Sequence, residues 1–388
     1  MTDKGGPLIY LDNAATSFPK PPEVVEAIRA ALLAPASPGR SGHAASLAAA
    51  RAIHQARKNV ARLFGVEDNS RLVFTANITW ALNLALEGLG LKAGDHILSS
   101  SLEHNSVARP LARLAAERGV IWERVPLDGE GLSDPAEFRK LRRSTTKLVV
   151  LNQASNVTGA LAPAREIKEA VGEVPLLLDT AQTAGAMDLS DLGQWADLVA
   201  FTGHKGLLGP TGTGGLWLKP GLRTRPLATG GTGSASESLI QPDFLPDALE
   251  PGTANTHGLA GLAAGAGFIL ETGADQIRQH ELGLATAFLD GLSQIPGLTV
   301  WGPQNPARRV ATISVSLAGW SCSDLSSALE QEAAILTRAG LHCAPLVHQT
   351  LGTLAAGGLT RFSFGFFNTL EEIKTALTTL DKLARRKD

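Results

Sequence analysis

Through the first two thirds of the chain, apolar runs of strand length alternate with segments of helical period. This alternation limits the fold more than any other feature. The runs cover residues 71–75, 96–100, 120–127, 147–152, 174–179, 197–202 and 214–219. Several are continuous, as in Leu148-Val149-Val150-Leu151 and Pro175-Leu176-Leu177-Leu178. Uninterrupted apolar runs are the pattern of strands buried on both faces. Between them, residues 44–64, 79–89, 107–118, 135–142 and 163–171 carry helical spacing, and Gly65 and Gly119 stand just past two of their ends. Glycine there closes a helix by taking a left-handed conformation. The order predicts an α/β chain with a mainly parallel sheet and helices on both of its faces.

The texture changes at residue 227. Residues 227–255 hold Gly230-Gly231-Thr232-Gly233-Ser234, several prolines and little periodicity, and read as a long loop of the kind that serves function. The glycine cluster lacks the strand-to-helix context of a dinucleotide motif. An Ala/Gly-rich helical stretch follows at 258–292. Then come strands at 298–301 and 309–317, a helix at 323–333 with Ser323 as its cap, a strand at 359–364 and a last helix from Leu370. These predict a smaller α+β C-terminal domain. The expected division is an N-terminal segment 1–15 packing near the small domain, a large domain 16–256 and a small domain 257–388.

Composition narrows the function. With 44 % hydrophobic and 19 % charged residues, the 388-residue chain can build a large core. Its net charge of −2 comes with no basic stripe, so nucleic acid is not an expected partner. No apolar run reaches a membrane span of ~18 residues. The first seven residues lack a charged region followed by an apolar one, so no secretion signal is expected. The two cysteines, Cys322 and Cys343, suit a reducing compartment, and the expected location is cytoplasmic.

Chemistry concentrates at strand ends. The run Asp197–Thr202 leads straight into Gly203-His204-Lys205-Gly206, which places a lysine at the carboxyl end of a buried strand. Ligands of open parallel sheets bind at such ends. A desolvated lysine there has a lowered pKa and can form a Schiff base with an aldehyde cofactor. Upstream, Leu176-Leu177-Leu178-Asp179-Thr180-Ala181-Gln182 ends a second strand in a carboxylate. Asp179 reads equally as a helix cap or as the partner of a pyridine nitrogen. Thr79 reads as an ordinary helix cap.

Taken together and in order, these motifs resemble the class V aminotransferase group of fold-type I pyridoxal-phosphate enzymes, in the cysteine desulfurase/selenocysteine lyase branch. The resemblance covers nearly the whole chain. It starts at Tyr10-Leu11-Asp12-Asn13-Ala14-Ala15-Thr16 and runs through Glu103-His104-Asn105-Ser106 and Ala154-Ser155-Asn156-Val157-Thr158-Gly159. It continues with Glu250-Pro251-Gly252-Thr253-Ala254-Asn255 and Arg338-Ala339-Gly340-Leu341-His342-Cys343-Ala344, and ends at Thr360-Arg361-Phe362-Ser363-Phe364-Gly365. It implies a seven-stranded sheet and pyridoxal 5'-phosphate as cofactor. Lys205 would carry the cofactor covalently, Asp179 would pair with its ring nitrogen and Gln182 would contact its ring hydroxyl. His104 would stack on the ring and act as an acid or base. Asn77, Ile78, Thr79, Thr202 and His204 would bind the phosphate. Asn156 would touch both cofactor and substrate, and Arg361 would hold the substrate carboxylate. Arg338, His43 and Ala15 match further substrate-side positions, though His43 also reads as a plain helix-start residue. Thr253 would reach the phosphate of a neighbouring subunit, implying a homodimer.

The resemblance makes Cys343 the nucleophile. It sits beside His342 and just before an apparent helix start with an early proline, and both neighbours favour a thiolate. Small residues around it, Ala339, Gly340 and Ala344, are expected to let its loop swing. Cys322 reads as an inert cysteine, and His342, Cys343 and His348 make a poor zinc set. The implied reaction is L-cysteine to L-alanine, with a persulfide on Cys343 and an acceptor protein to take the sulfur onward for iron–sulfur cluster or thiolated-cofactor synthesis. Alternatives on the same scaffold are a selenocysteine lyase, a cysteine sulfinate desulfinase or a C–S lyase. A non-catalytic sulfur-transfer scaffold is the alternative from another class.

Overall fold

The structure, a computed structural model, describes residues 8–35, 37–38, 41–128 and 131–387. The opening seven residues, read above for a secretion signal and as part of the 1–15 segment, lie outside the described residues. In chain order the strands are β1 (Ile9–Tyr10), β2 (Leu72–Thr75), β3 (His96–Ser100), β4 (Ile121–Val125), β5 (Thr146–Asn152), β6 (Leu176–Asp179) and β7 (Leu198–Thr202). They continue with β8 (Gly214–Leu218), β9 (Leu298–Trp301), β10 (Thr312–Leu317), β11 (Ile335–Leu336), β12 (Arg338–Gly340) and β13 (Leu359–Ser363).

Seven of these form one sheet in the order β2-β8-β7-β6-β5-β3-β4. Only β8 runs against its two neighbours. Side-chain alternation along the buried strands explains the two helical layers. Val149, Leu151, Leu176 and Leu178 pack on one face with Val60, Phe64, Leu262 and Ile269. Leu148, Val150 and Leu177 pack on the other with Leu82, Leu86, Val107 and Leu111. An apolar run without polar interruption therefore feeds both cores at once.

A four-stranded antiparallel sheet, β12-β13-β10-β9, forms a second body. Helices Ala274–Leu292, Cys322–Ala333 and Leu370–Ala384 cover it through Phe288, Leu292, Leu325, Leu329, Ile373 and Leu380. Residues 9–11 join this body. β1 pairs in parallel with β11, and the Ser363 N–H donates to Leu11 O at 2.8 Å.

Several elements differ from the sequence reading. The stretch 258–292 is two helices, Thr256–Thr272 and Ala274–Leu292, broken at Gly273 with φ +89°. The helix expected at 323 starts at Cys322, and its cap is Ser321 rather than Ser323, because the Ser321 hydroxyl accepts from the Asp324 N–H. The strand expected from 309 starts at Thr312. The buried Arg309 guanidinium instead holds the carbonyls of Pro303, Thr158 and Thr312. Helix Pro22–Leu33 was not anticipated. Its first-turn proline is tolerated because the missing N–H has no helical partner to lose. Residues 219–255 contain no helix or strand, as the loop reading requires.

Candidate active site

The segments leaving β2, β3, β5, β6 and β7 at their carboxyl ends converge on one cavity of about 320 Å³. Its wall includes Asn77, Ile78, Thr79, His104, Asn156, Asp179, Gln182, Thr202, His204 and Lys205 from the large sheet. Ala15 comes from the N-terminal segment, and Arg338, His342 and Arg361 come from the second body. The expected residues are thus assembled from both bodies, with three exceptions. Cys343 lines the adjoining groove. His43 is an exposed helix cap that accepts from Ser46 N–H at 3.2 Å, away from the cavity. Thr253 faces a separate apolar cavity of about 580 Å³ with Thr75, Trp80 and Leu259.

Lys205 keeps part of its surface open to the cavity. The protein around it desolvates its ammonium and lowers its pKa to about 8, against the opposing charge of Asp179. Asp179 is buried at the end of β6, and desolvation raises its pKa. The Ala181 N–H, 2.9 Å from Oδ1, and the Lys205 charge work the other way. Asp179 is therefore a strand-end carboxylate rather than the cap of a regular helix.

His104 caps the helix Asn105–Arg118. Its Nδ1 accepts from the Ser106 N–H at 3.0 Å, and a backbone N–H can only donate. In the neutral ring the proton therefore sits on Nε2. Burial, and next the Lys205 charge, lower its pKa to about 4, so the ring is uncharged near neutrality. Ser106 Oγ links it to Thr79 Oγ1 at 2.8 Å. Thr79 is not the cap of its own helix. Asn77 takes that place and accepts from Trp80 N–H at 3.1 Å. The first N–H groups of that 11-residue helix have no helical partner, and Asn77, Ile78 and Thr79 at its start line the cavity, which makes a ready anion site. Ile78 lines the cavity and belongs to the apolar cluster that holds Leu82 and Leu86, so its side chain offers an anion no polar contact. Thr202 directs its hydroxyl toward Thr213 O at 3.5 Å. His204 has its pKa lowered to about 4, first by burial and then by Lys205, and its Nδ1 is buried without a partner. Gln182 Nε2 donates to Ala14 O at 3.1 Å.

Arg361 is fully buried on β13. Its Nη2 donates to Asp12 Oδ1 at 2.6 Å and its Nη1 to Asn156 O at 3.0 Å. Two of its five donors are thus used, and Nε is buried without a partner. The Asp12 pairing escaped the sequence reading. Its signal was a lone carboxylate in Tyr10-Leu11-Asp12-Asn13, a segment read only for its resemblance.

Cys343 is exposed and lines a groove of about 440 Å³ that shares Thr79, His104 and Ser106 with the inner cavity. Arg338 Nη2 lies 3.8 Å from its Sγ. Small neighbours suggested a swinging loop; in this structure hydrogen bonds hold it in one conformation. Asn105 N–H donates to Cys343 O at 2.7 Å, Asn156 Nδ2 to His342 O at 2.7 Å, and Ala344 N–H to Leu341 O at 2.9 Å. His342 Nε2 also holds Arg338 O at 3.1 Å. His342 and Cys343 both take left-handed φ, +51° and +56°. That conformation costs on the order of 1 kcal/mol for each side-chain-bearing residue and persists only where surrounding bonds enforce it. Cys322 is half-buried at a helix start, with its Sγ against Gly357 O at 3.6 Å, and lines none of these cavities.

Residues 9–375 match the family model "Aminotransferase class-V". A protein named "Probable cysteine desulfurase" from Methanothermobacter thermautotrophicus is 32 % identical, over 97 % of this chain and 94 % of its own. One with the same name from Pyrococcus abyssi is 34 % identical at the same coverage. The apo structure of a cysteine desulfurase from Thermococcus onnurineus NA1 superimposes with a TM-score of 0.91 at 33 % identity, covering 97 % of this chain and 95 % of that one. With a lysine and a buried carboxylate following adjacent strands at one cavity, the match spanning nearly every element leads to one assignment: the chain belongs to the class-V aminotransferase family.

Proposed function

We propose that the chain is a pyridoxal-phosphate-dependent cysteine desulfurase that converts L-cysteine to L-alanine and takes the sulfur onto Cys343. The observation that carries this reading is the placement of Cys343 at the mouth of the cavity whose wall holds Lys205, Asp179 and His104. The residues fit the cofactor. An amine of lowered pKa, a buried carboxylate, a helix N-terminus and the unpartnered His204 Nδ1 line one space. Lys205 would hold the aldehyde carbon, Asp179 the ring nitrogen, and Thr79, His204 and the helix start the phosphate. When bound, the group supplies an electron-withdrawing ring conjugated to the substrate amine.

The chain's own residues do the rest. Lys205 Nζ, with a pKa of about 8, has a sizeable neutral fraction near neutrality and can remove the α-proton. His104 presents Nε2–H from a ring that its cap bond holds still. Arg361 offers its remaining N–H groups to the substrate carboxylate. Cys343 Sγ attacks the substrate sulfur, so that an S–S bond forms and the Cβ–S bond breaks. The carbon keeps that electron pair, Cβ gains a proton, and Lys205 returns to Cα the proton it removed, giving alanine. Arg338 lies against the attacking sulfur. An acceptor protein would then meet the exposed persulfide from the outer groove.

Arg361→Lys is expected to raise the KM for cysteine by about tenfold or more, because a point charge replaces a fork. An unchanged KM contradicts the anchor role. A second copy of the chain is proposed to cover the Thr253 cavity. Support comes from its apolar lining and from Trp80, 56 % exposed at its edge. Sedimentation at falling concentration should show monomer appearing together with released cofactor. A fully active monomer contradicts the shared site.

A further inference from the structure

One fully buried ionisable side chain has no role in the account above. Glu103 follows β3 and directly precedes His104. Its Oε1 accepts from the Ser100 hydroxyl at 2.6 Å and from the Asn152 N–H at 3.0 Å. Ser100 is fixed in turn, accepting from Leu102 N–H at 3.1 Å. Glu103 Oε2 is buried without a partner. Asn152 shows the same anomaly. Its Nδ2 donates to Leu102 O at 3.3 Å, while its Oδ1 is buried and unpartnered.

Two lone acceptors on residues already bonded to each other forfeit hydrogen bonds that buried oxygens normally make. A proton on Oε2 turns one of the two into a donor and leaves Oε1 the carbonyl role that its two donors require. Asn152 stands beside Asp179. They are register partners on β5 and β6, and Gln153 N–H donates to Asp179 O at 3.0 Å. We propose that Glu103 is a neutral carboxylic acid in the folded protein and a positioning residue that ties the ends of β3 and β5 together behind Asp179.

The surroundings agree. Desolvation pushes the Glu103 pKa up to about 8; Ser100 and Asn152 oppose this, and the Asp179 charge reinforces it. Ser100 from β3, Asn152 from β5 and Asp179 from β6 face it, and none is a cation. An ionised Glu103 would raise the proton affinity of Asp179 through like-charge repulsion. Neutral Glu103 adds no such repulsion to the desolvation that already raises the Asp179 pKa. What Asp179 meets in the cavity rests on the proposed function, but the protonation of Glu103 does not.

The test uses the apoprotein first. In infrared difference spectra of wild type minus Glu103→Gln at pH 7, a carboxylic-acid C=O band is expected. Because the folded pKa lies above the unfolded one, Glu103 contributes stability that is lost as pH rises toward about 8. The wild-type unfolding midpoint should therefore fall relative to that of Glu103→Gln between about pH 5 and pH 8. In the holoprotein, Glu103→Gln should keep the visible absorbance and its titration midpoint, whereas Glu103→Ala should weaken cofactor affinity by about tenfold. A carboxylate in place of the acid band, or parallel pH curves for the two proteins, overturns the neutral acid. Unchanged cofactor affinity in Glu103→Ala overturns the positioning role. The apoprotein readouts stand even if the desulfurase reading fails.

Discussion

Lys205→Ala is expected to abolish covalent cofactor attachment and to cut alanine formation by about 10³-fold or more, since the proposed mechanism uses the side chain as both anchor and base. Borohydride reduction of wild type with bound cofactor, followed by peptide mapping, should place the adduct on Lys205. A second consequence follows from its environment. Burial lowers the Lys205 pKa to about 8, and the free amine is the attacking form. Capture of pyridoxal phosphate by the apoprotein should therefore speed up about tenfold per pH unit below that value and level off above it. His104 and His204, held near 4, stay neutral throughout and should not shape this profile. An adduct on another lysine, or full turnover without Lys205, contradicts the mechanism.

Cys343→Ser is the second large effect. A hydroxyl cannot accept the sulfur, so persulfide formation should vanish and alanine release should drop by about 10³-fold. Cofactor absorbance should remain, because Cys343 lies in the outer groove and not among the residues around Lys205. Cys322→Ser should leave both activities intact. Its sulfur touches Gly357 O and lies outside the cavity and the groove. The pinned geometry sharpens the expectation. Three backbone-directed hydrogen bonds hold the 341–344 turn in the conformation that puts Cys343 in the outer groove. Asn156→Ala removes the Nδ2 bond to His342 O and should slow sulfur transfer more than it weakens substrate binding. An unaltered rate contradicts this positioning.

Much of this was legible in the sequence because the signals were local. β5 and β6 are continuous apolar runs, and both end in the residues that face the cavity. Lys205 and Asp179 were legible for the same reason, since a charged residue after a buried strand has one place to go. Other features were not legible because their cause is long-range. β1 and β11 are two residues each and exist only through pairing with each other. Helix Pro22–Leu33 follows Pro19 and Pro21, a cluster that reads as a loop until packing against Thr256–Thr272 reveals the helix. The Arg361–Asp12 pair joins opposite ends of the chain. The left-handed turn at His342 and Cys343 contradicts local preference, and bonds from Asn105 and Asn156 hold it. Ser321 displaced Ser323 as helix cap because both fit the local rule and only geometry separates them.

The central claim is that sulfur leaves cysteine for Cys343. Mass spectrometry of the holoprotein after brief exposure to cysteine, with thiols alkylated and peptides mapped, tests it directly. The account predicts one added sulfur atom on the Cys343 peptide and none on the Cys322 peptide, with alanine appearing in equal amount. Alanine or sulfide released while Cys343 stays unmodified, or sulfur found on Cys322, would contradict it.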